Sequence, residues 1–198
     1  MIRLEELLSI TAAQHERLCP RQVLGVRMGL AAGRTLGVDV PRRDKRLFVI
    51  VETDGCFADG ISAATGCQLG HRTLRLIDYG KVAATFVDTE TGQAVRVAPR
   101  AGIREHARAY APEAEDRWQA QLLGYQRMPD AELLSIQTVD LLFALDELIN
   151  KPGRRVECQL CGEEIINGRE VVRGDLTLCR SCAGDRYYTL ASGALSDS

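Results

Sequence analysis

The sequence lacks any run of apolar residues long enough to cross a bilayer, which argues against a transmembrane helix. Its first residues, Met1-Ile2-Arg3-Leu4-Glu5-Glu6, are acidic and amphipathic and have no long apolar centre, so no secretory signal is expected. Neither sign of charge dominates: 25 Lys and Arg against 27 Asp and Glu leave a net charge of -2. That balance disfavours a strongly basic nucleic-acid binder. The stretch from Lys151 onward is balanced too, with seven basic and seven acidic side chains. No internal repeat is visible. There is no Cys-x2-Cys-x2-Cys-x3-Cys-Pro run, so a ferredoxin-type iron–sulfur protein is excluded. What remains is an ordinary globular composition, 45% hydrophobic and 26% charged over 198 residues. This is enough chain for one sizeable core and a small appendage.

Seven cysteines are present, and four follow the pattern Cys158-x2-Cys161-x17-Cys179-x2-Cys182. Two Cys-x-x-Cys pairs about fifteen to twenty residues apart are the spacing of a tetrahedral thiolate zinc site. Four thiolates close the coordination sphere, so this zinc is expected to be structural. Residues 163–178 between the pairs alternate apolar positions around two turn signals, Asn167-Gly168 and Arg173-Gly174-Asp175, and read as a hairpin. A thiol-rich chain of this kind belongs in a reducing compartment, and a cytoplasmic protein is expected.

Periodicity divides the rest. Residues 4–18 read as a helix with Leu4, Leu7 and Leu8 on one stripe. A second helix opens at Pro20 and stops at Gly37. It carries Gly25, Gly29 and Gly33 at four-residue spacing, which calls for close backbone approach by another helix or strand. Residues 46–53 form a buried strand, and 54–66 a helix capped by Thr53 or Asp54. Strands are expected at 74–77, 82–87, 94–97 and 134–139, and helices at 103–111, 113–125 and from Pro129-Asp130. The domain plan is therefore a core over 1–140, a linker over 141–153 and a four-cysteine zinc finger over 154–190.

A second set of candidate ligands, His15, Cys19, Cys56 and Cys67, lies in the core. Cys19 precedes a helix-opening proline and Cys56 falls in the first turn of the next helix. Helix N-termini favour thiolate over thiol. Imidazole plus thiolates suits zinc or another soft divalent metal, and three protein ligands would leave a position open for chemistry. Alternatively the cysteines are small buried hydrophobes and His15 a surface residue. Cys67 follows Gly66 at a helix C-terminus, where the dipole disfavours thiolate. Of Asp54 and Asp59, one would cap the helix and the other would serve as proton carrier or orienting partner. Lys81, in the Asp78-Tyr79-Gly80-Lys81 loop, would meet a carboxylate, an anionic ligand or solvent.

The blocks His15-x3-Cys19-Pro20-Arg21-Gln22, Glu52-Thr53-Asp54-Gly55-Cys56-Phe57-Ala58-Asp59-Gly60, Thr65-Gly66-Cys67-Gln68-Leu69-Gly70 and Asp78-Tyr79-Gly80-Lys81 resemble, in order, the FmdE family of formylmethanofuran dehydrogenase proteins. The four-cysteine tail is similar to the treble-clef finger that some members add. The resemblance implies an α+β core with packed helices and a mixed or antiparallel sheet, and a metal-binding active site. It also implies a homodimer, for which the glycine face of the second helix would be an interface. It places His15, Cys19, Cys56 and Cys67 as ligands, and Cys19, Cys56, Asp59 and Lys81 as reacting groups. Many members carry a second histidine where this chain has Arg17, which removes a ligand or supplies an anion contact. The family name implies a molybdenum or tungsten enzyme as partner. Three functions stay open at this stage: a metalloprotein with a working core site, an accessory protein handling molybdenum, tungsten or their cofactor, and a regulatory module whose finger reads protein or nucleic acid.

Overall fold

A computed structural model describes residues 2–13, 15, 17–144 and 153–189. The chain divides into two compact units, Met1–Leu145 and Asp146–Ser198. Most of the expected 141–153 linker and the last residue of the expected finger lie outside the described residues.

The first unit is built on strand β1, Leu47–Val51, whose five apolar residues are all buried. β1 pairs in parallel with β2 (Leu74–Leu76) and antiparallel with β3 (Ala84–Asp88). β4 (Ala94–Pro99) and β5 (Leu134–Thr138) extend the sheet antiparallel, giving the order β2-β1-β3-β4-β5. This is the expected α+β class with a mixed sheet.

Helix α1 spans Leu4–Ala12, not 4–18. Beyond Ala12 the chain leaves the helix, so His15 and Cys19 are not held one helical turn apart. Helix α2, Pro20–Leu36, opens on its proline and ends on Gly37 in the left-handed conformation at φ 65°. Helix α3 covers Cys56–Thr65. Two short helices follow, α4 (Ile103–His106) and a 3-10 turn (Ala107–Tyr110), then α5 (Arg117–Arg127) and α6 (Asp130–Leu133).

The glycine spacing in α2 is explained by α3. A Cβ at Gly25 would sit 2.3 Å from the Phe57 carbonyl, and one at Gly60 would sit 2.4 Å from the Gln22 carbonyl. The two helices touch backbone to backbone, which only glycine allows. A Cβ at Gly29 would meet the Ala64 side chain at 2.7 Å. The expectation that this face doubles as a dimer interface is corrected: the chain's own α3 and the Val38–Val40 segment occupy it.

Arg27 of α2 anchors α5. Its guanidinium donates to the carbonyls of Tyr125 at 2.7 Å, Gln126 at 3.1 Å and Met128 at 2.7 Å, and to Asp130 at 2.6 Å. The unpaired carbonyls at a helix C-terminus gain a cation with several donors, which suits the negative end of the macrodipole.

The second unit contains two hairpins. β6 (Arg155–Glu157) pairs with β7 (Glu164–Ile166), and β8 (Val171–Arg173) pairs with β9 (Leu176–Leu178). The single hairpin expected over 163–178 is thus corrected. Only the Gly174 turn closes a hairpin inside that stretch, while β7 turns back to β6. Its buried core is four residues, Cys158, Ile165, Leu178 and Ala183.

Candidate functional site

In the second unit the turn between β6 and β7 carries Cys158 and Cys161, and the chain after β9 carries Cys179 and Cys182. The four sulfurs all lie within 4.8 Å of one another. Cys161 Sγ and Cys179 Sγ are 4.0 Å apart. A tetrahedron of sulfurs about 2.3 Å from a central zinc has edges of about 3.8 Å, so the spacing fits such an ion. Backbone N–H groups support the sulfurs: Cys179 N donates to Cys158 Sγ and Cys182 N to Cys179 Sγ, each at 3.3 Å. N–H groups of Cys179 and Cys161 hold the Cys158 thiol down to about 6, whereas crowding by Cys179 pushes Cys182 up to about 12. Four sulfurs this close strain against shared negative charge, and a divalent cation relieves that strain. All seven cysteines are free thiols.

The first unit brings together part of its expected set. Cys56 is the first residue of α3, and its N-cap is Gly55 at φ 77°, not Thr53 or Asp54. Asp59 therefore has no capping duty. It lies one turn from Cys56, on the same side of the helix. Its Oδ2 stands 2.8 Å from His15 Nε2, which ties the α1–α2 connection to α3. Cys19, the N-cap of α2, lies near enough to the Cys56 side chain to perturb its thiol. Burial pushes the Cys56 thiol up, the neighbouring Cys19 adds to this, and the backbone N–H at the helix start only partly opposes it. The expected low-pKa thiolate at Cys56 is therefore corrected: at this helix start desolvation outweighs the helix end. The groups form two pairs, His15 with Asp59 and Cys19 with Cys56. Among the described residues only the four cysteines of the second unit converge closely enough to form an ion cage.

Cys67 does not join them. It lies eleven residues past Cys56, at the other end of α3, about 15 Å away along the helix. It is 2% exposed, its thiol donates to the Leu47 carbonyl at 3.3 Å, and burial raises its pKa. It packs as a small hydrophobe. Lys81 is exposed, with its ammonium 5.9 Å from the Tyr79 ring. Its backbone N–H, like that of Tyr79, bonds the Glu52 carbonyl, so the loop is fastened to the end of β1 that leads into α3. Arg17 stacks on Trp118 of α5 at 5.2 Å.

Sequence reasoning missed two residues that hold this region together. Gln22, fully buried, accepts the Cys19 N–H at 2.8 Å and donates to the Thr11 carbonyl at 2.8 Å. It fixes Cys19 against α1. Glutamine at the third helical position is the signature of a capping box, and that spacing was legible. Glu52 is buried and held by both arms of Arg96, at 2.6 and 2.7 Å. No local pattern links positions 44 residues apart.

Comparison with known proteins agrees with this picture. The FmdE family profile, described as molybdenum formylmethanofuran dehydrogenase operon, matches residues 14–135. A protein of Archaeoglobus fulgidus named as a probable S-adenosyl-L-methionine-binding protein is 30% identical over 96% of this chain. The chain spans 56% of that relative's length. The crystal structure of a tungsten formylmethanofuran dehydrogenase FmdE-like protein from Syntrophus aciditrophicus superposes with a TM-score of 0.60. It is 24% identical, over 94% of this chain and 95% of its own, and shares the fold. With more than half of its length matched by that profile, the chain belongs to the FmdE family.

Proposed function

We propose that this FmdE-family protein carries a structural zinc in its four-cysteine unit and a second, working site at the start of α3, beside the pairs His15–Asp59 and Cys19–Cys56. The observation that carries the reading is the convergence of four free thiols within 4.8 Å, supported by N–H···S bonds. The core site rests on two side-chain pairs that draw three chain segments to one place. Its donor types suit a soft divalent ion: imidazole and two thiols would hold it, with Asp59 orienting the imidazole. Such an ion, when bound, supplies Lewis acidity or an activated water. Cys19, Cys56, Asp59 and Lys81 are the groups proposed to face a substrate. The family description supports a role beside a molybdenum or tungsten formylmethanofuran dehydrogenase-type enzyme. Seven free thiols favour a cytoplasmic setting. No helix among the described residues is long and apolar enough to cross a membrane. A homodimer is supported by exposed Leu69, Leu76, Ile77 and Tyr79 in and beside the edge strand β2.

Elemental analysis of untagged protein tests both sites. Wild type should hold two metal ions, and Cys158→Ser and His15→Ala/Cys56→Ser should each hold one. Equal metal content in wild type and the His15→Ala/Cys56→Ser variant would sink the core site. A second reading, S-adenosylmethionine binding, is favoured by the name of the Archaeoglobus relative. Titration calorimetry with S-adenosylmethionine decides it, and absence of saturable heat removes it.

A further inference from the structure

Beside the Cys19 end of α2 lies a cavity of about 390 Å³. Its wall includes Pro20 and Arg21, the residues that follow Cys19, and Val82, the residue that follows Lys81. Arg100 and Arg104 line it as well, and α5 contributes Tyr125. The charge here is one-sided. Arg21, Arg100 and Arg104 have no carboxylate partner among the described residues; Arg100 spends one N–H on the Leu134 carbonyl at 3.0 Å. Glu105, the sole acidic residue of the lining, is already paired with Arg117 at 2.9 Å. Several arginines elsewhere in this unit are matched, among them Arg27 with Asp130, Arg46 with Asp88 and Arg96 with Glu52. Tyr125 is 2% exposed, and burial pushes its phenol up to about 12, so it stays a donor at neutral pH. Leu24 and Ile103, both nearly buried, give the cavity an apolar wall.

We infer that this cavity binds a small organic anion, its phosphate or carboxylate held by Arg21, Arg100 and Arg104 and its apolar body against Leu24 and Ile103. Guanidinium groups present paired N–H donors that match both kinds of acid group. A partly enclosed wall strengthens the attraction relative to open water. The size suits a compact metabolite. The further step, that this anion anchors a substrate beside Cys19 and Cys56, rests on the core-site reading; the binding of the anion does not.

Titration calorimetry at low salt, with pyrophosphate and citrate as probes, tests the cavity. Wild type should bind at least one of them saturably, and the tighter of the two assigns the acid group. Arg21→Gln/Arg104→Gln should weaken binding by about tenfold or more, since each lost charged hydrogen bond counts. Arg43→Gln, an exposed arginine outside the cavity lining, should leave it unchanged. Circular dichroism checks that each variant is folded. No saturable binding of either probe by wild type, or equal weakening by Arg43→Gln and the double variant, overturns the inference. His15→Ala/Cys56→Ser separates the two readings. If it binds anion normally while holding as much metal as wild type, the core site fails and the anion pocket stands.

Discussion

The three thiols of the first unit and the four of the second obey different physics. Cys56 and Cys67 sit in or against a large apolar body, where burial pushes both thiols up. That body folds on hydrophobic packing, with Phe57, Phe86, Leu7, Met28 and Ile61 among its fully buried side chains. The second unit has a buried core of four residues, one of which is a ligand cysteine. So small a core cannot offset the ordering entropy of its chain without a metal. Its packing is also less complete: Glu170 Oε2 and Ser181 Oγ are the buried side-chain polar atoms that lack partners among the described residues. Thiols in the first unit are passengers of a fold that exists without them; thiols in the second are the fold.

The largest effect that would break this comparison comes from chelation. A strong chelator should abolish the amide dispersion of residues 153–189 in NMR spectra while the first unit stays folded. Loss of both together, or of neither, would erase the distinction. Next in size, Arg96→Met should destabilise the first unit by about 3–5 kcal/mol, because Glu52 is left buried without its partner. Urea denaturation measures this. Adding Glu52→Leu should recover much of the loss. The metal content of the second unit should not change. Gly29→Leu should cost about 1–3 kcal/mol or more by overpacking against Ala64. Light scattering should find the oligomeric state unaltered, since that face is covered by the chain's own α3.

The smallest effect sharpens the contrast through pH. Asp88 is buried, and the Arg46 guanidinium holds its carboxyl at about 2. A carboxyl depressed in the folded state contributes stability that is complete above its unfolded pKa of about 4. That contribution is lost as pH falls through about 2. Thermal melts of wild type should lose stability over that window, and Asp88→Asn should flatten the loss. An unchanged acid slope in the variant would show that Asp88 is not the group responsible.

Much of this was legible in the sequence where the signal is local. Two Cys-x-x-Cys pairs announce their cluster because each is a single turn. The glycines of α2 announced a close neighbour because interior glycine carries a cost. Pro20 and Gly37 marked both ends of α2. Expectations failed where a neighbour distant in sequence decides. Residues 4–18 continue a helical pattern, yet α1 stops at Ala12 and His15 instead pairs with Asp59 of α3. β7 alternates as one arm of a hairpin with β8 would, yet it pairs with β6, upstream of the first cysteine pair. The helix-end argument for Cys56 was sound locally but lost to burial.

By itself, the sequence determined most helices and strands and the four-thiol cluster, because these rest on residue type and short spacing, and its ordered motif blocks carried the family resemblance that implied the α+β core. The partner of each distant group was decided only in three dimensions. Which cysteine meets Cys56, which carboxylate holds His15, and which arginines stay unpaired around one cavity all depend on how α2, α3 and α5 pack. Packing sets distance and burial, and on those two quantities the strength of every polar interaction depends.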